Sequence, residues 1–132
     1  MDDAIVKIDP ALLALINGAF DKGGLPLPFT KEIFLIETHV AGTSHVPIKD
    51  LEPGLTAGDV LVFKREPDNE HDALAIRILD KQGRKLGYVP KEKNEILARL
   101  MDAGKLVFGK LVDKHWHEDW LKVEIKVFMR EV

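Results

Sequence analysis

The feature that most constrains this chain is a series of short β-forming runs, each cut off by a cluster of turn formers. Glu32-Ile33-Phe34-Leu35-Ile36-Glu37-Thr38-His39-Val40 ends at Ala41-Gly42. Val60-Leu61-Val62-Phe63-Lys64-Arg65 stops at Glu66-Pro67-Asp68-Asn69. A strand over 73–80 meets the turn Lys81-Gln82-Gly83, and Lys85-Leu86-Gly87-Tyr88-Val89 returns from it. The stretch 51–59, with Pro53, Gly54 and Gly58, is expected as turn. After Pro90 the period becomes helical: Ile96, Leu97, Leu100 and Met101 share one stripe of a helix ending near Asp102, with Gly104 as its stop. Strands over 106–113 and 121–129 follow, the second placing Val123, Ile125 and Val127 inward against Lys122, Glu124 and Lys126. Six strands this short leave exposed edges in a flat sheet. The pattern therefore predicts a mainly β fold, a small and mostly antiparallel barrel with a helix after the fourth strand.

Residues 1–30 have a different character. Asp9-Pro10 starts a short apolar helix, Ala11-Leu12-Leu13-Ala14-Leu15-Ile16, and Asp21-Lys22-Gly23-Gly24-Leu25-Pro26-Leu27-Pro28 is loop. They are expected as an N-terminal extension, packing back on the domain at 31–132 or docking another chain. At 132 residues the chain has room for one domain with a single core. Its apolar runs are too short to cross a membrane, and Met1-Asp2-Asp3 does not open a secretory signal. With no cysteine, disulfide scaffolds, thiolate metal sites and cysteine nucleophiles are excluded, and a cytoplasmic location is expected.

The net charge of −3 argues against indiscriminate coating of nucleic acid or anionic membrane. The middle of the chain is the exception. Residues 60–114 hold 12 Lys/Arg against 9 Asp/Glu, so an anionic ligand is expected there.

Three constellations have chemical potential. Gly42-Thr43-Ser44-His45 pairs a hydroxyl with an imidazole, but sequence neighbours seldom face one another as a nucleophile and base must, and no third group orients them. His115 and His117, with Glu118 and Asp119, have metal-ligand chemistry, yet they fall where a hairpin turn is expected and need no metal. No metal and no cofactor is expected. The third constellation runs from Phe63 to Ile76 and from Gly83 to Lys91. Asn69 bonds its own backbone two residues on, and Asp72 caps or anchors the loop ahead of an apolar strand. Arg65, Asp68, Asn69 and Asp72 suffice to stitch a turn together. His71, Tyr88 and Lys91 add two flat rings and a cation, the equipment on which single-stranded nucleic acid stacks and pairs its phosphates.

Arg65-Glu66-Pro67-Asp68-Asn69-x-His71-Asp72-x-x-Ala75-Ile76, followed by Gly87-Tyr88-Val89-Pro90, closely resembles the signature of the HIRAN domain. The resemblance extends upstream to Val40-Ala41-Gly42-Thr43 and covers about 33–130. It implies a six-stranded, OB-like barrel and, as in members fused to DNA-remodelling ATPases, recognition of single-stranded DNA at its 3′-hydroxyl end. The aspartate after the turn, here Asp72, would accept the terminal hydroxyl. The preceding aromatic is here His71, a smaller ring that still stacks. DNA-binding members carry an Arg-aromatic-aromatic run where this chain has Thr38-His39-Val40, which removes one phosphate contact and one stacking platform.

The expected function is therefore a non-enzymatic module that binds single-stranded DNA at its 3′ end, working with DNA repair or replication-restart proteins. Asp72 reads the hydroxyl, His71, Tyr88 and His39 flank the last bases, Arg65 and Lys91 meet phosphates, and Asn69 shapes the loop. The alternative is a protein-interaction module on the same barrel, without DNA, docking a partner through 1–30 or an edge strand.

Overall fold

The computed structural model describes residues 31–131. The strands are β1 (Lys31–His39), β2 (Val60–Arg65), β3 (Ile76–Leu79), β4 (Lys85–Tyr88), β5 (Leu106–His117) and β6 (Trp120–Glu131). The helices are α1 (Ile48–Leu51) and α2 (Asn94–Asp102), with 3₁₀ turns at Thr43–His45, Glu52–Gly54 and Lys91–Lys93. The described residues fall into two units, Phe34–Met129 and a second that holds 31–33 with 130 and 131. In the second, Arg130 Nη2 donates to Glu32 Oε2 at 2.9 Å. The extension over 1–30 lies outside the described residues. The rest of the fold concerns 34–129.

The strands form one sheet in the order β1-β6-β5-β2-β3-β4. β2 pairs antiparallel with β3 and β5, and β3 with β4. Just past β1, Ala41 exchanges both backbone hydrogen bonds with Tyr88 of β4, at 2.7 and 2.9 Å. The first and last strands of the sheet therefore meet, and the six strands curl into the expected OB-like partial barrel. The approach is so close that a Cβ on Gly87 would lie 2.2 Å from the Ala41 carbonyl oxygen and 2.8 Å from Val40 Cγ1. Only glycine fits there.

Alternation fills the interior. Leu61 and Phe63 of β2, Ile76 and Ile78 of β3, and Val123, Ile125 and Val127 of β6 all point inward and are buried. Each such side chain stabilises the fold by roughly 1.5–3 kcal/mol on burial. α2 adds Leu97 and Ala98 to the core and packs against β5. Gly104, at φ 92°, takes the left-handed conformation that ends the helix. Thr43 is wholly buried and donates its Oγ1 hydroxyl to the Leu121 carbonyl at 2.9 Å, so it pins the turn after β1 to β6.

Four local expectations need correcting. β3 begins at Ile76 rather than Ala73, because Asp72 bends the backbone of 72–75 into a turn, with Ala75 N–H on the Asp72 carbonyl at 3.1 Å. β5 and β6 run on to His117 and from Trp120, so His115 and His117 lie in a strand and the turn shrinks to Glu118-Asp119. Of 51–59, expected as turn, Leu51 ends α1 and is buried, and Glu52–Gly54 is a 3₁₀ turn. Ile96 is 72% exposed, because the buried stripe of α2 is centred one residue on, at Leu97 and Ala98.

Replacing Gly87 by alanine should force apart the backbones that close the barrel. We expect Gly87→Ala to destabilise the domain by about 3 kcal/mol, read as a lower denaturant midpoint. Gly83→Ala, with open space around it but a φ of 85°, should cost about 1–2 kcal/mol from the left-handed backbone alone.

Candidate functional site

The segment between β2 and β3 is built around one carboxylate. Glu66 leaves β2 with its N–H on the Ala75 carbonyl at 3.0 Å, which clamps both ends of the loop. Its Oε1 accepts Asn69 Nδ2 at 3.0 Å and the Tyr88 hydroxyl at 2.8 Å, and its Oε2 accepts the Arg77 guanidinium. Asn69 completes the turn as its residue type predicts. Its Oδ1 accepts the backbone N–H groups of His71 at 2.8 Å and Asp72 at 3.0 Å. Pro67 and Asp68 form the rim of a shallow hollow of about 320 Å³, shared with Arg65, Glu66, Asn69 and Arg77.

Asp72 is held from two sides. Its Oδ1 accepts the Leu74 N–H at 2.9 Å, and its Oδ2 accepts Asn94 Nδ2 at 2.8 Å from the start of α2. Asn94 is itself buried, so the loop and the helix share one polar joint. The Leu74 N–H and then the Asn94 amide hold the Asp72 pKa below the ordinary carboxyl range against the effect of burial, with help from the Lys91 and Arg65 charges. Burial alone would raise the Glu66 pKa. Hydrogen bonds from Asn69, Tyr88 and Arg77, with the Arg77 charge, outweigh it and lower the value.

Of the residues expected at the site, Asn69, His71, Asp72 and Tyr88 are linked through this network, and Lys91 acts on Asp72 electrostatically. His71 and Lys91 are exposed, and Lys85 Nζ lies 4.6 Å from the centre of the Tyr88 ring. Arg65 is differently placed. Its side chain is 13% exposed and makes a two-pronged contact with Asp102 at 2.9 and 3.1 Å, while Nη1 donates to the Ala75 carbonyl at 2.9 Å. His39 lies instead in a hollow of about 230 Å³ with Glu37, Thr38, Lys122 and Glu124. It remains two residues from Ala41, the backbone partner of Tyr88.

Glu66, Arg77, Asn94 and Asp102 received no role from the sequence. Glu66 stood inside the motif, but nothing local says that its partner is a tyrosine 22 residues away. Asn94 left no signal, being one polar residue at the start of a helix. Among the described residues no cluster of His, Asp and Glu is arranged to hold a metal ion. His115 instead faces Asp113 at 3.0 Å and Glu124 at 3.6 Å. No helix among them is long and apolar enough to cross a membrane.

Comparison with known proteins follows the same outline. The model of one family, the HIRAN domain, matches residues 33–131. A protein of Lactobacillus plantarum has a solved structure that superposes with a TM-score of 0.72 at 26% identity, covering 78% of this chain and 99% of that one. The HIRAN domain of human HLTF superposes with a TM-score of 0.58 at 18% identity, covering 75% of this chain and 78% of that one, a likeness of fold. A Fanconi-associated nuclease 1 homolog of Arabidopsis thaliana is 36% identical over 73 residues. That match spans 55% of this chain and 8% of the plant protein.

The lowered carboxyl values set a pH dependence. Glu66, Asp72 and Asp102, the last held down by its hydrogen bond from Arg65, have folded-state pKa values below those of the unfolded chain. Their contribution is complete above the ordinary carboxyl value, about 4. It is lost as pH falls through the lowered values. The melting temperature should therefore be flat above roughly pH 5 and fall on acidification. Glu66→Gln should lower it at neutral pH and shrink the acid-side fall.

Proposed function

This chain belongs to the HIRAN domain family, and we propose that it is a binding module for single-stranded DNA that reads the 3′-hydroxyl end. The observation that carries the reading is the state of Asp72. An ionised carboxylate has about four lone-pair sites. Here one donor on each oxygen, Leu74 N–H and Asn94 Nδ2, fixes its orientation, and acceptor capacity is left on both. A group of this kind accepts a hydroxyl proton and repels a phosphate. A terminal 3′-hydroxyl satisfies it, whereas an internal phosphodiester or a 3′-phosphate does not. An acidic chain thereby gains a way to bind DNA selectively at its ends.

The neighbours supply the remaining contacts. The exposed His71 ring stacks on a terminal base, with the Tyr88 ring on the same network held in orientation by Glu66. Lys91, exposed and acting on Asp72, meets a phosphate. Arg65 is committed to Asp102 and the Ala75 carbonyl, so its part is to hold the loop in place. Asn69 shapes the turn, and His39 contributes from β1 only if the strand reaches its hollow. A matched relative named as a nuclease homologue supports a nucleic-acid ligand. Work alongside DNA repair or replication-restart proteins fits such a reader. Any partner held by 1–30 would use residues outside those described.

The test is a titration of one oligonucleotide carrying either a 3′-hydroxyl or a 3′-phosphate. A charge-assisted hydrogen bond contributes about 1.5–3 kcal/mol, so the hydroxyl end should bind at least about tenfold tighter. Asp72→Asn should abolish that preference and improve binding of the phosphate end. Because Asp72 also anchors the loop, the melting curve of the variant must still show a cooperative transition. Equal binding of the two ends by the wild-type protein would overturn the end-reading function.

A further inference from the structure

The outer face of the sheet joins the candidate site directly. In the register of β2, β3 and β4, Tyr88 lies opposite Arg77 and Arg77 opposite Lys64. Cross-strand partners share a face, so these three side chains form one row, in which Tyr88 and Arg77 both bond Glu66 and Lys64 lies beyond them. The next row is apolar. Val62 lies opposite both Leu79 and Phe108, Phe108 stacks on Phe128 at 5.7 Å, and Phe128 meets the edge of Phe34 at 5.8 Å. Val62 is 50% and Phe34 52% exposed, a large apolar area for the outer side of a small barrel.

Cations border this apolar row. Lys110 Nζ lies 4.9 Å from the Phe128 ring centre, and Lys126 Nζ lies 6.0 Å from that of Phe34. The outward positions of β2, β3 and β4 hold Lys64, Arg77 and Lys85, of which Arg77 is paired with Glu66, and β6 places Glu124 beside Lys126. That pairing leaves Lys64, directly opposite Arg77, as the exposed cation of its row. In a chain of net charge −3, this concentration of positive charge around aromatic rings points to an anionic partner that also stacks.

We propose that this face is a second contact for the same strand. The DNA 5′ of the bound end leaves Tyr88, passes a phosphate at Lys64, and lays its bases on the exposed side chains of the row that ends at Phe34. The inference rests on the single-stranded DNA reading and adds a path for the strand beyond its last nucleotides. An acidic protein segment, the other anionic occupant of such a face, would not depend on oligonucleotide length.

The experiment compares a trinucleotide with a dodecanucleotide, both ending in the same 3′-hydroxyl residues, by competition against a labelled strand. The wild-type protein should bind the longer strand at least about tenfold tighter, since stacking on even one more aromatic is worth that much. Binding of the longer strand should also weaken more steeply with salt. Lys64→Gln/Lys126→Gln should reduce the salt slope for the dodecanucleotide by roughly 1.4, two phosphate contacts at about 0.7 each. Phe34→Ala should cut the length advantage about tenfold. All three substitutions are at exposed positions, and unchanged melting curves confirm the fold. A trinucleotide that binds with end preference while added length brings nothing would overturn the path and leave the end reader standing. A length advantage untouched by the lysine and phenylalanine variants would also overturn it. A trinucleotide without end preference would remove the end-reading function, and failure of both oligonucleotides to bind would remove both proposals.

Discussion

The backbone pairing of Ala41 with Tyr88 is the contact on which the rest of this structure depends. It joins the segment after β1 to β4, at opposite ends of the strand order, and so turns a sheet into a partial barrel. Two hydrogen bonds of this kind contribute only about 1 kcal/mol each. Their importance is geometric, because they position the Tyr88 backbone while its hydroxyl reaches Glu66. Closure also brings backbone so near to Gly87 that this position has no room for a side chain. A single glycine thereby couples the architecture of the barrel to the orientation of a ring at the candidate site.

Glu66 extends that constraint outward. One partly buried carboxylate takes donors from a turn, a strand and the closing strand: Asn69, Arg77 and Tyr88. A carboxylate with three donors is well compensated for its loss of water, and for that reason it stays ionised despite burial. The neighbouring pair works in the same manner, with Asn94 bridging α2 to Asp72 and Arg65 bridging β2 to Asp102 at the end of α2. The loop over 66–75 is therefore fastened on both flanks to α2. A ligand would meet a preformed surface there, and less ordering cost would be charged against its binding.

Much of this was legible beforehand, and the reason is visible residue by residue. Val123, Ile125 and Val127 alternate with polar residues, and such a pattern has one face to bury whatever the sheet around it. Asn69 bonds the N–H groups of His71 and Asp72 because a short amide side chain reaches only that far. The structure departs from the local pattern where local signals compete. Ala73-Leu74-Ala75 has strand-compatible composition, but Asp72 captures the Leu74 N–H and delays β3 to Ile76. The polar run from His115 to Asp119 has the look of a long turn, yet two long strands continue through it because their neighbours supply the ladder.

The existence of the strands, the helix after Pro90, the turn at Asn69 and the motif that names the family is legible in the order of residues. All of these depend on side-chain periodicity or on bonds spanning a few residues, and so they are written in neighbouring letters. The tertiary structure alone decided that Tyr88 binds Glu66 across 22 residues, that Asn94 holds Asp72 across another 22, and that Arg65 turns to Asp102 across 37. It also decided that Lys64, Arg77 and Tyr88 share one row. These pairings follow from strand register and sheet closure, which many weak packing contacts set together, and no single stretch of chain encodes them.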